Sequence, residues 1–145
     1  YDAVMWIDSD IVFKPEDFWR ILESPHDVTA GLYMMEDLTH FAAVKDWNED
    51  FFKKFGTFKF LRPDDVVGAA EYLPVAYAGM GWMLIRKGVM EDLKYPWFWS
   101  DLQAVGDLVD MNSEDVAFCK ALAAAGHPVH VDTKLRVGHQ KKMII

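Results

Sequence analysis

Asp8 and Asp10, held two residues apart in Val4-Met5-Trp6-Ile7-Asp8-Ser9-Asp10-Ile11-Val12, are the side chains with the most chemistry to offer. A short apolar run delivers both carboxylates to the end of what reads as a buried strand, where an isolated carboxylate either neutralises or finds a cation. A divalent metal is the natural cation, and a metal held there is suited to gripping the phosphate oxygens of a ligand. Three further features could serve such a site. Ala78-Gly79-Met80-Gly81 places two glycines one residue apart, which allows a turn or the close approach of a ligand, although it completes no GxGxxG and carries no Walker lysine. Glu114 and Asp115 set an acidic pair at a helix start, and His139 brings an imidazole near the C-terminus. Each also has a plain reading, as an acidic turn, a helix cap and a surface histidine.

The elements that must position these residues can be read from pattern. Lys14-Pro15-Glu16-Asp17 puts proline and two acids in a first helical turn, Phe18, Ile21 and Leu22 give that helix one apolar face, and Ser24-Pro25 stops it. Asp27 to Met34 reads as a second buried strand, and Glu71 to Tyr77 as an extended segment that Pro74 assigns to an edge or a strand end. Between them, Glu36 to Pro63 dissolves into charges and aromatics, read as a helix and hairpin over the main sheet or as the lining of a cleft. The cluster Tyr95-Pro96-Trp97-Phe98-Trp99 could stack a sugar ring or pack as core. Ser113 is a good N-cap, Ala117 to Ala125 are strong helix formers, and Gly126 ends the run. Asp115 shares its face of that helix with Phe118, Cys119 and Leu122, which sets its carboxylate at the lip of the core. Pro128 to Asp132 is a last strand, leading to His139.

Composition bounds the rest. The 145 residues fit one domain, 1–145, and 52% hydrophobic residues suffice for a core. Fifteen basic against 23 acidic side chains give a net charge of −8, which disfavours nucleic acid and anionic membrane as partners. No apolar run approaches the ~18 residues of a membrane span. The expectation is a soluble chain, with the cytoplasm the favoured compartment. Cys119 is alone, and reads as a small buried hydrophobe.

In their order and context, Asp8-Ser9-Asp10, the Gly79/Gly81 turn, Glu114-Asp115 and His139 resemble the nucleotide-sugar-dependent glycosyltransferases of the GT-A fold. The resemblance runs from Val4 to His139. It implies an α/β, Rossmann-related mixed central sheet flanked by helices, and transfer of a sugar from a nucleotide-diphosphate donor to a carbohydrate, glycan or protein hydroxyl, with inversion. By the same resemblance Asp8, Asp10 and His139 are the ligands of Mn²⁺ or Mg²⁺, Asp8 acting through water or on the donor ribose. Asp115, with Glu114 beside it, is the catalytic base, and Asp8, Asp10, Gly79 and Gly81 contact the donor. The family's fold begins with a nucleotide-binding half, so the chain reads as a fragment whose upstream portion supplies it.

Two rivals use the same residues differently. A phosphatase of the haloacid dehalogenase type would phosphorylate Asp8 and use Asp10 as acid/base, which leaves His139 without a role. A non-catalytic carbohydrate-binding module would rely on Trp97, Phe98 and Trp99 as a stacking platform.

Overall fold

A computed structural model describes residues 1–141, and its centre is a five-stranded mixed sheet. In chain order the elements are β1 (Ala3–Ile7), β2 (Ile11–Val12), α1 (Pro15–Leu22), β3 (Val28–Leu32), β4 (Ala43–Val44), α2 (Glu49–Phe55), α3 (Pro63–Val66) and β5 (Tyr72–Val75). They continue as β6 (Tyr77–Ala78), β7 (Trp82–Arg86), α4 (Val89–Asp92), β8 (Leu102–Val105), β9 (Leu108–Met111), α5 (Glu114–Ala124), β10 (Val129–Arg136) and β11 (Gly138–His139). The central sheet runs β1-β7-β3-β10-β5. β3 and β10 pair in parallel, while β7 lies antiparallel to both β1 and β3, and β5 antiparallel to β10. β1, β3 and β10 therefore point the same way, and their C-terminal ends share one rim of the sheet.

Both faces of the sheet are covered, and the strands show it by alternation. Along β7, Met83 and Ile85 join one core with Phe118, Cys119 and Leu122 of α5, whereas Trp82 and Leu84 join the other with Ile21 of α1. Pro15 opens α1, where its missing N–H costs nothing, and the Asp17 carboxylate accepts the Lys14 N–H at 2.8 Å. On the α1 face Arg20 grips Asp132 of β10 through two bonds of 2.7 and 2.9 Å and reaches Glu71 at 3.0 Å. Asp132 is fully buried, so this fork is what allows a carboxylate there. Gly31, in the middle of β3, has Trp82 lying across it, and a Cβ would come within 2.6 Å of that indole.

β5 is the edge strand that Pro74 implied. β1 corrects an expectation. It is the opposite edge rather than a buried strand, since among the described residues it pairs only with β7, and Trp6 and Ile7 remain 38% and 42% exposed. Asp8 and Asp10 thus leave a half-covered strand, so neither carboxylate faces the full cost of burial. Between Glu36 and Pro63 the chain makes β4, paired with β6, and α2, which contributes no buried residue. Its aromatics pack on one another, with Trp47 against Phe58 at 5.0 Å and Phe52 against Phe58 at 5.2 Å. Cys119 is buried, and burial pushes its thiol up to about 12, as befits an inert core residue. Among the described residues no helix is long and apolar enough to cross a membrane.

Candidate functional site

The rim where β1, β3 and β10 end gathers most of the residues singled out by sequence. After Ile7 the chain makes a tight turn, Asp8-Ser9-Asp10-Ile11, closed by the Ile11 N–H on the Asp8 carbonyl at 3.1 Å. Asp8 is tied to the neighbouring strand by its own N–H, which donates to the Gly81 carbonyl at 3.0 Å. Asp10 enters β2, whose partner is β11, in a register that sets His139 opposite Ile11. The Gln140 N–H closes on the Asp10 carbonyl at 2.7 Å. Residues 129 positions apart in the chain thereby meet, with His139 Nε2 standing 2.9 Å from Asp10 Oδ2.

The other ring nitrogen, Nδ1, donates to the Met34 carbonyl at 2.8 Å. Both nitrogens therefore face acceptor oxygens. A neutral imidazole carries one N–H, so with Nδ1 committed the Nε2 lone pair is aimed at a carboxylate unless a proton or a cation sits between them. A backbone carbonyl fixing the remote nitrogen is also what orients histidine as a metal ligand. The spacing suits a metal as well. Two adjacent ligands of an octahedral ion at about 2.1 Å lie about 3 Å from each other. Asp10 and His139 are thus a fitting pair for Mn²⁺ or Mg²⁺.

Asp8 is not drawn into the same cluster. It is exposed, and among the described residues no three His, Cys, Asp or Glu side chains form a closed metal-binding group. Asp8 still feels the pair. Partial burial, then the Asp10 carboxylate, hold its carboxyl above the usual range, with His139 opposing and Asp115 adding to the rise. Lys141, two residues beyond His139, brings its ammonium within 4.0 Å of Asp10 and 3.6 Å of Glu36.

The glycines serve the protein itself. Tyr33, at the end of β3, lays its ring over both, and a Cβ on Gly79 or Gly81 would collide with it. The Gly81 N–H donates to the Tyr33 hydroxyl at 3.1 Å and the Gly79 N–H to the Ala42 carbonyl at 2.8 Å. Both N–H groups are spent, so in this conformation neither glycine presents one to a phosphate, and the close approach they allow is taken by Tyr33. Burial, with the charges of Asp8, Asp115 and Asp10 adding to it, pushes the Tyr33 phenol up to about 12.

Asp115 lies at the lip of the core, as the helical spacing required. Tyr77 donates its hydroxyl to Asp115 Oδ2 at 2.7 Å, and Oδ1 accepts from the Ser113 hydroxyl and from the Val116 N–H at 3.0 Å. Ser113 thus spends its hydroxyl on the Asp115 carboxylate instead of capping the α5 backbone. Burial and the Asp115 charge force the Tyr77 phenol far upward, which keeps it a donor. Glu114 is exposed and stands apart from these bonds. Tyr33, Tyr77 and Lys141 escaped the sequence reading. Only Lys141 had a signal, its place one strand period after His139.

No family model matches the sequence, and no curated protein matches it. Among solved structures, the crystal structure of A197 from STIV is similar across the whole of this chain and 69% of that chain, at 15% identity and a TM-score of 0.52. At that identity the likeness is one of fold, a mixed α/β layer around a mixed sheet.

Proposed function

We propose that the chain is a metal-dependent glycosyltransferase of GT-A type, moving a sugar from a nucleoside-diphosphate donor to an acceptor hydroxyl with inversion. The observation that carries this reading is the Asp10–His139 pair, brought together by β2 and β11, with Asp8 beside it and Asp115 close enough for its charge to reach Asp8. Sites outside the carboxyl ends of strands are also where open α/β sheets place ligands.

Asp10 and His139 would hold the ion, and Asp8 would bind it through water or contact the donor ribose. A bound Mn²⁺ or Mg²⁺ supplies Lewis-acid stabilisation of the charge that collects on the leaving diphosphate. Asp115 is the base. Each carboxylate oxygen has two acceptor positions; both on Oδ1 are filled, and one on Oδ2 is filled by Tyr77. The remaining position on Oδ2 takes the acceptor's proton as the acceptor oxygen bonds to the anomeric carbon and the carbon–oxygen bond to the diphosphate breaks. Tyr77 and Ser113 fix the rotamer in which that lone pair is presented.

Calorimetric titration of Mn²⁺ into wild type, Asp10→Asn and His139→Ala, followed by assay with UDP-glucose and GDP-mannose, tests the reading. Both variants should lose metal binding. Asp115→Asn should keep it and lose transfer. Unchanged Mn²⁺ affinity in Asp10→Asn would sink the assignment.

A further inference from the structure

Gly79 and Gly81 are left without a task by the proposed reaction, and positive dihedrals do not account for them. Neither has the left-handed φ found at Gly56 and Gly126, so what bars a side chain is the space that Tyr33 occupies. A Cβ on Gly79 would overlap the Tyr33 hydroxyl oxygen, and one on Gly81 would come within 2.8 Å of the ring carbon Cζ. The hydroxyl ties the ring down by accepting the Gly81 N–H at 3.1 Å, while the Gly81 carbonyl takes the Asp8 N–H at 3.0 Å. Tyr33 is thereby fixed to the turn that carries Asp8 and Asp10.

The seated ring meets His139 edge to face, with centroids 5.1 Å apart and planes at 74°. The next residue, Met34, takes the His139 Nδ1–H on its carbonyl at 2.8 Å. Two consecutive residues at the end of β3 therefore hold one imidazole, Met34 by fixing which nitrogen carries the proton and Tyr33 by bearing on the ring. The second torsion of a histidine side chain is broad, so one hydrogen bond leaves the plane loosely set. An edge-to-face neighbour narrows it. With the plane set, Nε2 stands 2.9 Å from Asp10 Oδ2.

We propose that Tyr33 is a positioning residue for the Asp10–His139 pair, seated by Gly79 and Gly81 so that its ring sets the plane of the His139 imidazole. The consequence for Mn²⁺ rests on the proposed function, whereas the seat itself does not. Metal affinity then follows residues that never touch the ion, as it does for outer-shell partners generally.

Mn²⁺ is titrated calorimetrically into wild type and variants, and the His139 imidazole N–H is followed by NMR in metal-free protein labelled with ¹⁵N-histidine. Tyr33→Phe keeps the ring and should bind Mn²⁺ like wild type. Tyr33→Leu removes the flat edge and Gly79→Ala displaces the ring, so each should weaken Mn²⁺ about tenfold and shift the His139 signal. Double variants separate a seat from plain packing. With the hydroxyl gone, the nearest atoms to a Cβ at 79 are Cζ at 3.1 Å and the Ala42 Cβ at 3.3 Å, so Tyr33→Phe should restore much of what Gly79→Ala loses. At 81 the ring carbons themselves lie 2.8 and 3.0 Å away, so the same substitution should restore nothing to Gly81→Ala. Thermal melts show which variants are folded, and a Tyr33→Leu that fails to fold leaves the glycine pairs to decide. The proposal is overturned if Tyr33→Leu keeps the wild-type signal and affinity, or if Tyr33→Phe does not relieve Gly79→Ala. Were wild type to take up no Mn²⁺, the metal reading would fall, and the His139 signal alone would decide on the seat.

Discussion

The carboxylate of Asp115 is held by three donors, of which the Tyr77 and Ser113 hydroxyls are side chains and only the Val116 N–H is backbone; the Tyr77 hydroxyl is the one on Oδ2. Tyr77→Phe should lower the transfer rate about tenfold, the equivalent of one hydrogen bond to a charged group, through kcat with the donor KM unchanged. Because a loss of folded enzyme would also lower the apparent kcat at constant KM, an unchanged thermal midpoint is the control that separates the two. Residue type and spacing singled out Asp8, Asp10, Asp115 and His139, and the fold brings Asp10 and His139 within 2.9 Å of each other, although the burial cost expected for Asp8 and Asp10 is small because β1 is half exposed. Tyr77 and Tyr33 were illegible. An aromatic with a hydroxyl fits an ordinary core, and only the tertiary fold shows that each hydroxyl meets a site residue or a glycine N–H. The glycines show the converse limit, since the same two residues that permit a ligand's approach also permit that of a tyrosine ring.

Among the elements, α1 and β10 depend on each other through one fork. Arg20→Ala would strip Asp132 of both guanidinium bonds, leaving only the Lys134 N–H, and leave a fully buried carboxylate without a cation. The cost should be about 3–5 kcal/mol, read as a shift of the denaturation midpoint with an unchanged slope. Arg20→Lys should recover only part of it, because an ammonium cannot span both oxygens. α1, β3, β5 and α5 were readable from Pro15, the apolar spacings, Pro74 and the Gly126 stop. The β8–β9 hairpin was not seen, although Gly106-Asp107 between Val105 and Leu108 is a hairpin turn signal, with Gly106 at φ 61. Its outward residues, Leu102, Leu108, Val109 and Met111, are exposed apolar side chains, which blurs the in–out alternation that identifies a strand. β1 failed for a related reason: its run of apolar residues reads as buried, while the sheet leaves it at an edge with one face half open.

Across the whole molecule, His127 acts as a clasp. One ring nitrogen lies 2.9 Å from Asp27, just before β3, and the other 2.8 Å from Asp92 at the end of α4. The Asp92 and Asp27 hydrogen bonds raise the His127 pKa above its ordinary 6.5. Folding therefore gains from the protonated ring. That gain is fully present below the unfolded value of about 6.5 and is lost as pH rises through the higher folded value. The melting temperature of wild type should thus exceed that of His127→Gln most at mildly acidic pH, and the gap should close as pH rises through the raised folded value. A gap independent of pH would show that the ring only packs.

The order of the central sheet has a consequence in time as well as in space. β1 must find β7, β3 must find β7 and β10, and β5 must find β10, so each pairing joins segments separated by other elements. Loops have to close before these contacts return anything, which places the chain among slow folders governed by non-local pairing. During synthesis β1, β3 and β5 emerge early and wait, the first two for β7 and β5 until β10 leaves the ribosome. The Asp10–His139 pair cannot exist before β11 does, so Asp10 is made early and meets its partner last.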